Sequence, residues 1–145
     1  MSKVSIYLNF PRNTEAAFNF YKSVFGTELL EGGFMRFRDI PPAEGMPPIA
    51  EEDLNLVMHC TLPILEGFHL MGSDAPESMG HKVITGNNVI INLMPDTREE
   101  TRRIFKSLSE DGVVEQELTE MFWGDYYGSL TDKFGIRWMF NCAVK

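Results

Sequence analysis

The side chains in this sequence with chemistry to offer are few, and they fall into two groups. His59 and His69 flank a turn near Pro63, and a tight hairpin there would make them cross-strand neighbours. With Asp74 following closely, the three would form a proton-transfer or metal-binding cluster. The plainer alternative for each imidazole is a partly buried strand position, bonded to a backbone group. The second group is Phe122-Trp123-Gly124-Asp125-Tyr126-Tyr127-Gly128. Read as a strand, it puts Trp123, Asp125 and Tyr127 on one face. A carboxylate between two rings suits a cationic or hydrogen-bonding organic ligand. Two aromatics packing in a sheet, with Asp125 at its solvated edge, is the other reading. A cysteine–histidine nucleophile is excluded by parity, because His59 and Cys60 are adjacent and point to opposite faces of a strand. No Gly-x-Ser-x-Gly elbow, phosphate loop or dinucleotide fingerprint occurs.

These residues need elements to hold them, and the chain supplies the same order of elements twice. Val4, Ile6, Leu8 and Phe10 alternate with polar residues as a strand does. Asn13 is placed to cap a helix whose apolar face is Ala17, Phe18, Tyr21, Val24 and Phe25, and Gly26 stops it. Strands are then expected within Glu28–Arg38, Leu54–Leu62 and Gly67–Gly72. In the second half Asn88–Met94 reads as a strand, and Asp96 with Glu99 resembles a capping box. Thr101, Ile104, Phe105 and Leu108 form the next helical stripe. Val113–Thr119, Phe122–Leu130 and Ile136–Val144 supply three more strands. Tyr21-Lys22-Ser23-Val24 even matches Phe105-Lys106-Ser107-Leu108, so an internal duplication is the economical account. Between residues 41 and 53 four prolines break the pattern, which predicts either a surface insertion or a lid over a pocket.

Composition bounds the partners. The 145 residues make one domain of ordinary size, built of two modules at about 1–80 and 85–145. A net charge of −8, with no local gathering of Lys and Arg, argues against nucleic acid and anionic membranes. No apolar run is long enough to span a bilayer. Cys60 and Cys142 lie in apolar stretches and read as buried free thiols, which points to a reducing, cytoplasmic setting. The nine methionines suit an adaptable apolar lining.

The doubled order strand–helix–three strands, with Phe20-Tyr21-Lys22-Ser23-Val24-Phe25-Gly26, resembles the vicinal oxygen chelate superfamily of glyoxalases, bleomycin-resistance proteins and dioxygenases. Leu70-Met71-Gly72-Ser73-Asp74, Phe122-Trp123-Gly124 and Asp132-Lys133-Phe134-Gly135-Ile136-Arg137-Trp138 resemble its PhnB-like group. The resemblance implies an α+β fold of two βαβββ modules, whose curled, mostly antiparallel sheets surround a cavity. It also implies, for the metal-using members, ligands on the first and last strands of each module. Here those strands offer Ser5 to Leu8, Asn88 to Ile91 and Arg137 to Phe140, and only His69 near Asp74 is of ligand type. The expectation is therefore a small-molecule-binding protein with a metal-independent aromatic and Met-lined pocket and no cofactor. Its binding residues would come from Trp123, Asp125, Tyr127, His59, His69 and Asp74. The alternatives are a glyoxalase- or dioxygenase-type metalloenzyme with an unusual ligand set, and a structural or regulatory dimer. An unprotected first strand, Val4 to Phe10, makes a homodimer the expected state.

Overall fold

Met1–Val83 and Ile84–Lys145 form two compact units, each with a mixed four-stranded sheet and, among the described residues, one α-helix. The structure is a computed structural model that describes residues 2–41 and 43–144. Pro42, one of the four prolines in the loop, lies outside the described residues.

In the first unit β1 (Ile6–Phe10) leads to α1 (Thr14–Phe25), then β2 (Met35–Arg36), β3 (Val57–Leu65) and β4 (Phe68–Asp74). The sheet order is β1-β4-β3-β2, with β1 parallel to β4 and the other two pairs antiparallel. Alternation decides the faces. Leu8, Phe10, Cys60, Leu62 and Leu70 are buried with Ala17, Phe18, Tyr21 and Val24 of the helix. The glycine stop is as expected, since Gly26 takes a left-handed conformation (φ 66°) and donates its N–H to the Lys22 carbonyl. The cap at the other end is not. Asn13 stands at the N-cap position without a side-chain bond, and the Thr14 N–H instead donates to Asp74 Oδ1 at 3.0 Å.

The second unit repeats the plan with β5 (Ile91–Leu93), α2 (Arg98–Leu108), β6 (Val113–Glu120), β7 (Tyr126–Thr131) and β8 (Arg137–Cys142), in the order β5-β8-β7-β6. Ile104, Leu108, Leu130, Trp138 and Phe140 make its core. Both cysteines are buried and free.

Four further expectations need correction. Glu28–Arg38 yields only the two residues of β2, because Gly32 and Gly33 both take positive φ and turn the chain. The N-cap moves one residue on, with Thr97 Oγ1 accepting from the Glu100 N–H at 3.1 Å, and no reciprocal box forms because the Glu100 carboxylate accepts from Arg103. Asn88–Met94 shortens to β5. The strand expected from Phe122 begins at Tyr126 instead. Met121 N–H donates to the Asp125 carbonyl at 2.9 Å, Gly124 N–H donates to the Met121 carbonyl, and Gly124 has φ 99°. Those bonds close a hairpin loop where a strand had been read.

The loop at 41–53 is fastened at its downstream end. Asp53, almost wholly buried, accepts from Ser78 Oγ at 2.7 Å and forms a 2.9 Å ion pair with Arg12 that is not aligned as a hydrogen bond. Arg12 also donates to the Glu52 carbonyl. The Ser78 hydroxyl, then the Arg12 charge, hold the Asp53 carboxyl below its ordinary range.

Candidate functional site

The helix covers one face of each sheet, and most side chains on the opposite face stay at least partly accessible. On the first sheet Tyr7 of β1, His59 and Thr61 of β3, and Met71 of β4 have the parity opposite to the core residues. Register ties them together. Tyr7 pairs with Met71 and Met71 with Thr61, while Met35 pairs with His59. Tyr7 reaches over β4, and its hydroxyl lies 3.2 Å from His59 Nδ1, with the two rings tilted and their centroids 5.8 Å apart. The other imidazole nitrogen, Nε2, lies 3.1 Å from Thr61 Oγ1. The result is a hydrogen-bonded chain of hydroxyl, imidazole and hydroxyl. Tyr7 at 47% exposure and Met35 at 39% leave it open to solvent. Nearby, Ser73 Oγ donates to Asn9 Oδ1 at 3.3 Å.

The trio His59, His69 and Asp74 does not assemble. His69 sits opposite Pro63, four residues along β3 from His59, or roughly 13 Å at ordinary strand rise. Asp74 is on the other face, 5% exposed, and both its oxygens are committed. Oδ1 accepts from Thr14 N–H and Oδ2 from Val57 N–H at 2.8 Å. It ties the start of α1 to the start of β3. Parity does keep His59 and Cys60 apart, with Cys60 buried on the helix side and its thiol pushed up to about 12 by that burial.

The second group also separates. Trp123 is half exposed in the hairpin loop, stacked edge-on against the fully exposed Phe122 with ring centroids 4.8 Å apart. Asp125 closes the same loop through its carbonyl. Tyr127 lies on β7 opposite Asn141, and Tyr126 faces the helix side under the Arg98 guanidinium, 4.8 Å from the ring centroid. Arg98 then fixes the loop by donating to Glu120 Oε1 and to the Gly124 carbonyl.

On the open face of the second sheet the row equivalent to Tyr7–Met71–Thr61 is Asn92–Met139–Ser129, with Tyr127 at the place of His59. Asn141 donates to Asn92 Oδ1 at 2.9 Å. Beyond it, Arg137 pairs with Glu115 Oε2 at 2.8 Å, and Thr131 Oγ1 donates to Glu115 Oε1 at 2.6 Å. Those bonds, Thr131 first and Arg137 second, hold the Glu115 carboxyl below its usual range.

This donor set does not fit the divalent metal that the resemblance implies for the metal-using members of the superfamily. The open-face positions of β1, β5 and β8 are Tyr7, Asn9, Asn92, Arg137, Met139 and Asn141, none of them an imidazole or carboxylate. Among the described residues no three His, Cys, Asp or Glu side chains converge. Nor is any helix among them long and apolar enough to cross a membrane.

Tyr7, Thr61, Met35 and Met71 are the site residues that sequence reasoning missed. Strand alternation already gave Tyr7 and Thr61 their parity; what it lacked was the register that lays β4 between them.

The family model of the Glyoxalase/Bleomycin resistance protein/Dioxygenase superfamily matches residues 7–140. Protein YjdN of Escherichia coli K12 is 32% identical over 143 residues, covering 95% of this chain and 93% of that one. The crystal structure of protein PA1353 from Pseudomonas aeruginosa superposes with a TM-score of 0.84 at 30% identity, over all of both chains. A PhnB protein from Bacillus cereus follows with a TM-score of 0.73 at 26% identity, over 98% of this chain and 100% of that one.

Proposed function

The chain belongs to the glyoxalase/bleomycin resistance/dioxygenase superfamily, and on that premise we propose that it binds a small organic molecule without a metal, on the open face of its first sheet. The observation that carries this reading is the Tyr7–His59–Thr61 chain, three polar side chains bonded to one another yet open to solvent. Such an array costs side-chain ordering and contributes little to the core, so a ligand-facing role explains it better than packing does. Met35 and Met71 border it with soft apolar surface that can adapt to a ligand's outline. Tyr127, at the equivalent place on the second sheet, is a further candidate contact in its own unit.

The test is amide and imidazole chemical-shift mapping of the chelator-treated protein against a library of small organic fragments. Hits are expected to move the signals of Tyr7, His59 and Thr61, and His59→Gln is expected to weaken them. Shifts confined to other surfaces would overturn the site. Binding that appears only after zinc is restored would overturn metal independence.

A further inference from the structure

The reading just given leaves the class of ligand open, and the chemistry of the face narrows it. Of the residues in β1 to β4, only Arg36 and Asp74 carry a fixed charge. Both are engaged elsewhere: Arg36 donates to Glu15 Oε1 at 2.7 Å and to the Asn55 carbonyl at 2.6 Å, and Asp74 accepts from two backbone N–H groups. A charged ligand on this face would find no free opposite charge on these strands to pair with.

The imidazole supplies the second half of the argument. A neutral histidine has one N–H and one lone pair on its ring nitrogens. With the proton on Nδ1, His59 donates to Tyr7 Oη and accepts from Thr61 at Nε2. Tyr7 then keeps its own O–H for a ligand, while Thr61 offers only lone pairs. With the proton on Nε2 the roles exchange, and Thr61 becomes the outward donor. In either tautomer one end of the chain donates and the other accepts. The array therefore offers one donating and one accepting end in each tautomer, exchanged when the ring proton changes nitrogen and both hydroxyls turn, and this favours a neutral ligand that carries both functions.

We propose that this face, if it is the binding site, selects an uncharged molecule bearing both a hydrogen-bond donor and an acceptor, of the amide class, over carboxylates and amidinium or ammonium ions of the same shape. Benzamide, benzoate and benzamidinium form a nearly isosteric set that isolates the point. Their affinities are to be measured by chemical-shift titration at one fixed pH, the same for all three. Benzamide is expected to shift Tyr7, His59 and Thr61 and to bind roughly tenfold tighter than either ion, the factor that one unsatisfied polar group represents. Tyr7→Phe and Thr61→Val each remove one end of the chain at a surface position, and each should weaken benzamide several-fold. If an ion moves the same signals with an affinity within about threefold of benzamide's, or better, the uncharged class is overturned while the site stands. If none of the three moves these signals while other fragments bind elsewhere, the site and the inference fall together.

Discussion

The bond from Trp138 Nε1 to Asp132 should be energetically costly to break, and a double-mutant cycle can isolate it. Asp132 is 3% exposed and Trp138 is fully buried, and the indole donates to Oδ2 at 2.8 Å. The other carboxylate oxygen accepts from the backbone N–H groups of Phe134 at 2.8 Å and Ile136 at 3.1 Å, which shapes the turn into β8. Asp132→Ala therefore strands three donors at once. An unmade buried hydrogen bond costs about 1–3 kcal/mol, and the two backbone groups will regain some water, so a loss of about 3–5 kcal/mol is expected. Trp138→Phe strands none of the backbone donors but deprives a buried carboxylate of one partner, worth about 1.5–3 kcal/mol, with about 1 kcal/mol more for the vacated volume. The double variant should lose less than the sum by about 1–2 kcal/mol, since the second change breaks a bond already gone. Equilibrium urea unfolding followed by far-ultraviolet circular dichroism avoids reliance on the indole signal. Additivity within about 0.5 kcal/mol would refute the reasoning and reduce the contact to proximity.

Three further outcomes are expected. The Asp53 carboxyl sits below its ordinary range, so the folded state binds fewer protons than the unfolded one there; its contribution is present above the unfolded carboxylate pKa and lost as pH falls through the depressed folded value. Asp53→Asn should flatten that part of the acid dependence of the urea midpoint and speed proteolysis in the 41–53 loop. Gly72→Ala should cost about 1–3 kcal/mol by thermal or urea unfolding, because the new methyl would meet Phe18 Cε1 at 2.5 Å. The chain is expected to be a homodimer, since β1 is an edge strand without proline or charge; light scattering should give about twice 16.5 kDa, and a mass of one chain rejects it.

What could be read in advance follows the range of the interaction that decides each feature. Residues 6–10 and the helix stripes are set by neighbours one to four positions away, so both βαβββ orders are legible from spacing. The Asp132-to-Trp138 stretch is conspicuous for a comparable reason, because its carboxylate serves donors two, four and six residues on. The misread pieces depend on longer reach or on a turn. Asp74 looks like a ligand until one knows that Thr14, sixty positions away, needs an acceptor. Trp123 and Asp125 look like strand residues because glycine at 124 is silent about its φ until the hairpin closes. Tyr7 and His59 are separated by β4, and no local pattern announces a contact across an intervening strand.

One row of side chains differs between the two units. In the first sheet it reads Leu8–Gly72–Cys60, and in the second Leu93–Phe140–Gly128, so the glycine lies on one inner strand in the first and on the other inner strand in the second. A ring sits over each: Phe18 against Gly72, and Phe105, itself edge-on to Phe140, against Gly128. By the shared Lys-Ser letters Phe105 aligns with Tyr21, so the first helix sends its ring from one turn earlier. Helix and sheet are thus matched parts within each unit. A chimera that grafted α2 onto the first sheet would bring Phe105 to a row whose glycine lies one strand away. Any recombination that shuffles these halves, in evolution or in the laboratory, must move each helix and its sheet as a single cassette.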